Sequence, residues 1–284
     1  MKANAIKDAY QTRFEKLSKY YYSTLEDFKL NAIHHFRVEM KKLRALIRLV
    51  NLSDIEHQNK MPKPLKSFYN IAGNIRNLQL HRQRVVNLCK NLSMELPSLY
   101  LEFLKQEEES MQKEARQIAV NISLKDFEKK LLGKVPDQIT KEVRTAFVEK
   151  RRLRLEELFT LPFYYDEGLH EIRKIIKDLM YNYKYLENII SVELPPAINH
   201  LKAMQSSTQA LGDFHDLCVA LFLLSDAYLE RAANPDEAEI LNELKTQLQL
   251  RKETMKEEII ESLRPIRNYI EQEKSLVRAY EILS

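Results

Sequence analysis

Two stretches of the chain repeat apolar residues with the three-four spacing of an amphipathic helix. The first apolar row consists of Ile33, Phe36, Met40, Leu43, Ile47 and Val50. The second row begins 136 residues later and consists of Leu169, Ile172, Ile176, Leu179, Tyr183 and Leu186. Residues at this spacing lie on one face of a helix. Each stretch therefore predicts a helix that buries one side in a core, and the recurrence predicts an internal repeat.

Proline, glycine and asparagine residues between the periodic stretches predict where the helices end. The predicted breaks lie near Asn51, Pro62, Pro64, Pro97, Gly133, Pro136, Pro162, Gly168, Pro195, Pro196, Asn234 and Pro235. They leave eight predicted helices, at residues 4–22, 26–50, 65–92, 98–131, 137–158, 169–191, 196–232 and 237–282. Pro265 falls inside the last stretch and is expected to kink or split that helix, because proline cannot donate a backbone hydrogen bond.

These helices predict an all-α protein built from two four-helix bundles that are related by an internal repeat. The three-four spacing averages about 3.5 residues per turn, which favours the shallow crossing angles of such bundles. The chain has four glycines and no segment typical of paired strands. Its 284 residues fit two units of ordinary domain size. We place the two halves at residues 1–160 and 161–284.

A row of basic residues lies one position after each apolar row. In the first stretch this row consists of His34, Arg37, Lys41, Arg44 and Arg48. In the second it consists of His170, Arg173, Lys177 and Lys184, and Met180 interrupts it. One position is a rotation of about 100° around the helix axis, so these side chains lie where neighbouring helices meet rather than opposite the core. This placement favours a charged groove or shared face over open solvent.

The length of the first basic row indicates the kind of ligand that it suits. From His34 to Arg48 a helix rises by about 21 Å, and Glu39 is the only acidic residue in that stretch. Arginine presents a planar fork to phosphate oxygens, and lysine presents a mobile point charge. A row of this length favours an extended polyanion over a single small phosphate.

Each basic helix is followed by a second repeated element that contains a glycine. Residues 73–80 align with residues 212–219, an offset of 139 residues. A glycine inside a helix costs about 1 kcal/mol relative to alanine. Its recurrence at Gly73 and Gly212 therefore indicates close approach of another helix or of a ligand. The first of these elements also begins a stretch without acidic residues that carries Arg76, Arg82, Arg84 and Lys90.

These four elements together resemble the signatures of the CHAD domain family of histidine-containing α-helical domains. The resemblance rests on the two glycine-containing segments, on His34-x-x-Arg37-Val38-x-x-Lys41-Lys42-Leu43-Arg44 and on Leu169-His170-x-x-Arg173-Lys174-x-x-Lys177. It extends from about residue 26 to the C-terminus. It implies that the two halves form one domain with a pseudo-two-fold axis and a basic surface that binds inorganic polyphosphate.

The second half departs from this pattern at three positions. Asp178 and Met180 stand where the pattern has basic residues, and His215 aligns with Arg76. The positive field of the second half is therefore expected to be weaker than that of the first. Replacing Met180 by arginine is expected to restore the interrupted row and to tighten binding.

The repeated rows and the resemblance together predict which residues contact polyphosphate. In the first half they are His34, Arg37, Lys41, Lys42, Arg44, Arg48, Arg76 and Arg84. In the second half they are His170, Arg173, Lys174, Lys177 and Lys184. The two histidines are expected to donate hydrogen bonds, while the arginines and lysines neutralise phosphate charge. The predicted function is non-enzymatic binding, with no catalytic residue, no cofactor and no metal.

Two other functions stay open for the same face. A nucleic-acid-binding helical module would use the same basic rows, although no aromatic residue on them offers a stacking platform for bases. A structural scaffold would pair the rows with acidic segments such as residues 107–109 of the same or another chain. Metal binding is disfavoured because the seven histidines include no ligand-like spacing. The sequence also contains no phosphate-binding glycine loop and no nucleophile elbow.

Composition bears on the cellular setting of the protein. The formal net charge of +4 is too small to imply a polyanionic partner by itself. Cys89 and Cys218 have no motif spacing, which indicates a reducing compartment. The charged N-terminus is unlike a signal peptide, and the apolar run at 220–224 is too short to cross a bilayer. We expect a cytoplasmic protein without membrane contact, and polyphosphate granules are a candidate location; the sequence leaves the oligomeric state open.

Overall fold

The chain folds almost entirely into helices. The structure, a computed structural model, describes residues 3–53, 58–136, 138–161, 164–232 and 237–283. Within these ranges the first helices are α1 (Ala3–Asp27), α2 (Leu30–Val50), α3 (Lys63–Leu92), α4 (Ser98–Ala119) and α5 (Leu124–Leu132). They are followed by α6 (Lys141–Phe159), α7 (Asp166–Tyr181), α8 (Tyr183–Glu193), a 3₁₀-helix (Pro196–Ile198), α9 (Leu201–Leu223), α10 (Asp226–Ala232) and α11 (Ala238–Leu283). The described ranges contain no β-strand, and the all-α prediction is confirmed.

The prediction of eight helices is wrong, because three of the predicted helices are interrupted. The stretch 98–131 breaks where Ser123 caps α5 by accepting a hydrogen bond from the backbone N–H of Asp126 at 3.2 Å. The stretch 196–232 breaks where the His200 side chain caps α9 by accepting from the backbone N–H of Ala203 at 3.2 Å, and again before α10. Apolar periodicity continues across such polar caps and therefore does not reveal them.

The third interruption lies at Asn182, inside the second basic helix. The predicted helix 169–191 ends as α7 and resumes as α8. The buried Asn182 side chain donates through Nδ2 to the carbonyl of Ala45 on α2 at 3.0 Å and to that of Asp178 at 3.2 Å. This amide links the two halves of the chain. The break also leaves Lys184 on α8, apart from the rest of the second basic row.

Pro265 lies inside α11 and does not split it, so this part of the prediction is wrong, whereas a kink at Pro265 stays a prediction. The helix runs from Ala238 to Leu283 without interruption. Leu263 and Ile266, on either side of the proline, are each 1% exposed. Their packing holds this part of the helix in place although the proline removes one backbone hydrogen bond.

The helices contact one another in the same order in two parts of the molecule. α1 packs against α2, α2 against α3, and α3 against α4; likewise α6 packs against α7, α7 against α9, and α9 against α11. Where the two parts meet, α2 contacts α7 and α3 contacts α9. The four helices that carry the repeated motifs therefore lie together at this junction. The predicted boundary at residue 160 assigns α6 to the first half, although α6 packs with the helices of the second set. The division of the chain into two halves at this residue stays a prediction.

The predicted apolar rows form much of the core. Ile33, Phe36, Leu169 and Ile176 are fully buried, and the neighbouring row members on α2 and α7 are nearly so. One apolar cluster contains residues of helices α1 to α9 and of α11, and thus joins both parts of the molecule. Tyr183 is only partly buried, because it follows the break that ends α7.

Candidate anion-binding site

Five basic side chains lie close together at the junction of α2, α3 and α7. They are Arg37 and Lys41 from α2, Arg76 from α3, and Arg173 and Lys177 from α7, and we call them the central cluster. All five are partly buried. Among the residues that the structure describes, none of the five forms an ion pair with an acidic side chain. Direct salt bridges to described carboxylates therefore do not neutralise these charges.

Lys41 lies at the centre of this cluster. Burial lowers the pKa of Lys41 to about 7, and the charges of Arg37, Arg173, Arg76 and Lys177 add to the effect. Burial and the charge of Arg173 likewise lower the pKa of Lys177 to about 8. An ammonium group that loses water and faces like charges is destabilised relative to the neutral amine. Such accumulation of unneutralised positive charge is typical of a site that binds anions.

The two repeated glycines make room for the two repeated arginines. A Cβ atom on Gly73 would lie 2.1 Å from Nη1 of Arg37, which is closer than non-bonded atoms approach. A Cβ atom on Gly212 would lie 3.1 Å from Nη2 of Arg173. The close approach that the sequence indicates is therefore that of an arginine side chain. Each glycine lets a guanidinium lie directly against the backbone of the next motif helix.

An aromatic ring fixes two of the arginines of the first half. Arg37 donates through Nη1 to the backbone carbonyl of Tyr69 at 2.5 Å. The guanidinium carbons of Arg37 and Arg44 lie 4.3 Å and 5.6 Å from the centre of the Tyr69 ring. Both distances are within the range of a cation–π interaction. Tyr69 thus holds two planar forks in fixed positions at the edge of the central cluster.

The histidine of each motif lies beside the residue three positions after the glycine. Partial burial and the charge of Arg76 lower the pKa of His34. His170 stacks on His215, with ring centres 4.3 Å apart and 27° between the ring planes. Burial and the neighbouring His215 lower the pKa of His170 to about 4. At pH 7 both motif histidines are therefore mainly neutral, and each offers an N–H donor rather than a charge.

Several buried polar atoms of this region have no hydrogen-bond partner in the described structure. They are Nε of Arg76, Nε of Arg173 and Nδ1 of His170. Buried donors without partners are uncommon in folded proteins and cost free energy. Anionic oxygens are acceptors that would satisfy the arginine donors. These atoms therefore point to the same class of ligand as the accumulated charge.

Arg48, the last member of the first basic row, is bound within the protein. Its Nε lies 2.7 Å from Oδ2 of Asp178, and its Nη2 also contacts that carboxylate. Arg151 on α6 donates to the same carboxylate at 3.3 Å. Asp178, which interrupts the second basic motif, thus connects α7 to both α2 and α6. This bidentate pair holds the junction together rather than leaving Arg48 free.

Lys42 is also bound within the protein, on the other side of α2. Its Nζ lies 2.7 Å from Oε1 of Glu39, and Nη1 of Arg13 lies 3.0 Å from Oε2 of the same residue. Glu39 is only 5% exposed, so this buried carboxylate requires its two partners. Lys42 therefore faces α1 and not the central cluster.

The other predicted contacts surround the cluster at different distances. Lys174 pairs with Glu171 at 2.5 Å on an exposed face of α7. Arg84 donates through Nη1 to the backbone carbonyl of Asp216 at 3.0 Å, which joins α3 to α9. Lys184 is exposed on α8. The predicted residues that the structure does bring together are His34, Arg37, Lys41, Arg44, Arg76, His170, Arg173 and Lys177.

Sequence reasoning did not include Tyr69 or His215 among the site residues. Tyr69 precedes Gly73 by four residues, so it lies on the same face of α3 one turn earlier. That spacing is the signal that could have identified it. His215 aligns with Arg76, and this alignment indicates that both lie beside a motif histidine.

The described ranges contain neither a metal-ligand group nor a membrane-spanning helix. No group of three or more histidine, cysteine, aspartate or glutamate side chains is arranged there to hold a metal ion. No described helix is both long and apolar enough to cross a membrane. The central cluster presents guanidinium and ammonium groups, which form charge-assisted hydrogen bonds with anionic oxygens.

Comparisons with known proteins identify the family. The model of the CHAD domain matches residues 8–225. The fold is similar to the crystal structure of the CHAD domain from the plant Ricinus communis, with a TM-score of 0.68, 13% identity, and 93% of this chain and 91% of that chain covered. It is also similar to PptA from Streptomyces chartreusis, with a TM-score of 0.66, 14% identity, and 93% and 99% covered. The sequence matches no curated protein. The chain therefore belongs to the CHAD domain family, a family of helical binding domains known in general to bind polyphosphate.

Proposed function

We propose that this protein binds inorganic polyphosphate at the central cluster and does not cleave it. The observation that carries the proposal is the convergence of Arg37, Lys41, Arg76, Arg173 and Lys177 without a described acidic partner. Guanidinium and ammonium groups form their strongest hydrogen bonds with anionic oxygens such as those of phosphate. Family membership supports the choice of ligand, because CHAD domains in general bind polyphosphate.

A linear polyphosphate suits this arrangement because its negative charges are continuous along the chain. In our proposal, Arg37 and Arg173 bind phosphates on opposite sides of the junction. Each guanidinium lies in the space that the glycine beneath it leaves open. Lys41 and Lys177 bind the phosphates between them. Arg76 and Arg173 then gain acceptors for their buried Nε donors. Affinity comes mainly from the release of counterions, as it does when proteins bind nucleic acids.

Residues around the cluster extend this path. The contacts at its edges are His34, Arg44, His170, Lys174 and Lys184. Lys42, Arg48 and Arg84 add to the positive field rather than to direct contacts, because each is held by a part-buried bond within the protein. Lys174 pairs only with Glu171 on an exposed face, and a phosphate can take the place of that carboxylate.

Nucleic acid is the second candidate ligand, and the aromatic residues argue against it. Proteins that bind single strands usually stack bases on exposed aromatic rings. Tyr69 is 8% exposed, and Arg37 and Arg44 already lie over its ring. This ring is therefore not available as a platform for bases. Association with polyphosphate granules in the cell follows as part of the same proposal.

A competition titration tests the proposed ligand. Long-chain polyphosphate is titrated into the protein in the presence of single-stranded RNA or DNA at equal phosphate concentration. We expect polyphosphate to displace both, and the log–log dependence of affinity on salt to have a slope of about −4, the value for about six neutralised charges. EDTA is expected to leave binding unchanged, since the described residues form no metal-ligand group.

Three results would contradict this proposal. Stronger binding of RNA at equal charge would favour the nucleic-acid function. Affinity that barely changes between low and physiological salt, or that disappears with EDTA, would exclude a site built from arginine and lysine. Granule association is checked separately, by comparing the cellular distribution of the wild-type chain with that of the Lys41→Glu variant.

A further inference from the structure

Lys41 is partly buried on α2, where this helix packs against α3 and α7. It lies one turn after Arg37, whose guanidinium lies against Gly73 of α3. The titratable and charged groups that act on Lys41 are His34 and Arg37 on its own helix α2, Arg76 on α3, Arg173 and Lys177 on α7, and His215 on α9. They come from every motif helix at the junction. A positive charge on Lys41 is therefore unfavourable for two independent reasons, which are lost hydration and repulsion.

The carboxylates on the neighbouring helices do not relieve this repulsion by a direct ion pair. Glu39 on α2 is bound by Arg13 of α1, and Asp178 on α7 is bound by Arg151 of α6. Asp216 on α9 favours the charged forms of the arginine and histidine groups near it. Within the described structure, no acidic side chain forms an ion pair with Lys41 itself. A bound polyanion would supply the negative charge that this position lacks.

We propose that polyphosphate binding at the central cluster takes up protons from the solution, and that the ε-amine of Lys41 is the main acceptor. This inference rests on the proposed function. Phosphate oxygens that arrive beside the amine supply hydrogen-bond acceptors and negative charge, and both favour the ammonium form. The proton leaves a buffer acid, forms a new N–H bond on Nζ of Lys41, and is returned when the ligand dissociates.

The environment of each group indicates how many protons take part. The pKa of Lys41 in the free protein is about 7, so the amine is mainly neutral at pH 7.5. The pKa of Lys177 is about 8, so that group is already largely protonated. The pKa of His170 is about 4, which is too low for a large contribution at this pH. We therefore expect net uptake of about one proton at pH 7.5.

Proton uptake makes the affinity depend on pH in a defined direction. A group whose pKa rises on binding favours the complex below its free pKa, and the affinity weakens as the pH rises above that value. Each proton taken up then corresponds to about a tenfold loss of affinity per pH unit. For the wild-type protein we expect about a tenfold weaker affinity for long-chain polyphosphate at pH 8.5 than at pH 7.5.

Calorimetry in two buffers measures the protons directly. The full chain is titrated with long-chain polyphosphate at pH 7.5 in HEPES and in Tris at equal ionic strength, because these buffers differ in ionisation enthalpy. For one proton per complex, the apparent enthalpies are expected to differ by about the difference between the ionisation enthalpies of the two buffers. Lys41→Arg keeps the positive charge but cannot change protonation state, since arginine stays charged. It is expected to bind with less than half of the proton uptake, whereas Lys129→Arg, at an exposed position on α5, is expected to match wild type.

The possible outcomes separate this inference from the proposed function. Absence of binding at every pH would overturn the proposed function itself. Binding with the same enthalpy in both buffers would overturn proton uptake while leaving the function intact. Unchanged uptake in Lys41→Arg would show that another group accepts the proton. If that variant does not fold, the affinities of the wild-type protein at pH 7.5 and 8.5 decide the question, because an equal affinity at both contradicts the coupling.

Discussion

The two motif helices of the first half and those of the second hold their arginines in the same way but support them differently. In both, an arginine lies against the helical glycine of the next motif helix. In the first half, the Tyr69 ring lies under Arg37 and also under Arg44, which is about two turns further along α2. In the second half, Met180 and Thr208 occupy the positions equivalent to Arg44 and Tyr69, and their Sδ and Oγ1 atoms lie 3.9 Å apart.

This difference indicates that Arg44, the additional arginine of the first half, depends on the Tyr69 ring for its position. An arginine at the edge of a groove is held in place by a planar partner, whereas a methionine fills the same space by packing. The first half also has more positive charge beside its motif histidine. His34 lies beside the Arg76 cation, whereas His170 lies beside the neutral ring of His215. We therefore predict that the first half contributes more of the affinity for polyphosphate than the second.

Reversing charge at the centre of the cluster tests this comparison with the largest expected effect. Lys41→Glu places a carboxylate among Arg37, Arg76 and Arg173, where it forms ion pairs that compete with the ligand. We expect about a hundredfold loss of affinity for polyphosphate, against about tenfold for Lys177→Glu, which faces fewer of these groups. Affinity is measured by calorimetric or fluorescence titration at one salt concentration.

Two controls accompany these variants. Lys129→Glu changes the net charge equally on the exposed face of α5 and is expected to alter affinity by about twofold at most. Circular dichroism checks that the helix content of each variant equals that of wild type. Equal losses from Lys41→Glu and Lys177→Glu would show that the ligand contacts the two halves equally.

Alanine substitutions at Gly73 and Gly212 test the same comparison with smaller expected losses of affinity. In Gly73→Ala the new Cβ forces the Arg37 guanidinium, the mobile end of its side chain, to move away from Tyr69. In Gly212→Ala, Arg173 needs to shift by only a small distance. We expect affinity losses of about tenfold and about twofold, respectively. Neither melting temperature should fall, because alanine is favoured over glycine in a helix by about 1 kcal/mol.

Gly168 supplies the matched control for this pair of variants. It also lies in a helix, on α7, and a Cβ there would meet no atom within 4 Å. Gly168→Ala should therefore leave affinity unchanged. If Gly73→Ala bound polyphosphate as tightly as Gly168→Ala, the position of Arg37 would not matter for binding.

Lys41 and Lys177 also differ in their effect on stability. Here, replacing either lysine by methionine is expected to increase the free energy of unfolding. Burial lowers the pKa of Lys41 to about 7, so the folded state disfavours a proton that the unfolded chain holds up to its ordinary pKa of 10.5. This cost of folding is fully present below the folded pKa and disappears above the unfolded one. Lys41→Met removes it, and we expect about 1–3 kcal/mol of added stability at pH 7, or about 3–8 °C in melting temperature.

Lys177→Met should stabilise the protein less, because the pKa of Lys177 is lowered only to about 8. Thermal unfolding followed by circular dichroism at pH 7 and pH 10.5 measures both gains. The gain from Lys41→Met should shrink toward zero at the higher pH. A gain that persists unchanged at pH 10.5 would indicate better apolar packing as its cause instead of a relieved charge.

The sequence predicted the all-α class and the buried rows because both depend on local periodicity. Ile33 and Leu169 needed only the spacing of their neighbours to be identified as core residues. The break at Asn182 could not be predicted in this way, since its cause is a hydrogen bond to Ala45 on a distant helix. The uninterrupted helix at Pro265 has the same kind of cause, namely tertiary packing that exceeds a local preference.

The prediction of the candidate site is limited in the same way, because contacts between residues distant in the sequence cannot be predicted from local spacing. Arg37 and Arg173 could be selected from the repeat, because each follows a histidine by three residues on a helix with the same apolar spacing. Arg48 could not be distinguished from them, since its partner Asp178 is 130 residues away in the sequence. A basic row indicates which side chains share a face of a helix, whereas the pairing of each charge depends on what the fold brings opposite to it.

The smallest expected effect concerns the interruption of the second basic row. From the sequence alone, Met180→Arg is expected to tighten binding by restoring the row. In the structure, Met180 packs partly against the apolar cluster and beside Thr208, and no equivalent of the Tyr69 ring is present at this position to hold a guanidinium. We therefore expect an affinity gain of about twofold at most, whereas the reciprocal change Arg44→Met should weaken binding by about threefold to fivefold. A tenfold gain from Met180→Arg, measured by the same titration, would show that a cation at this position needs no aromatic partner and that charge alone distinguishes the two halves.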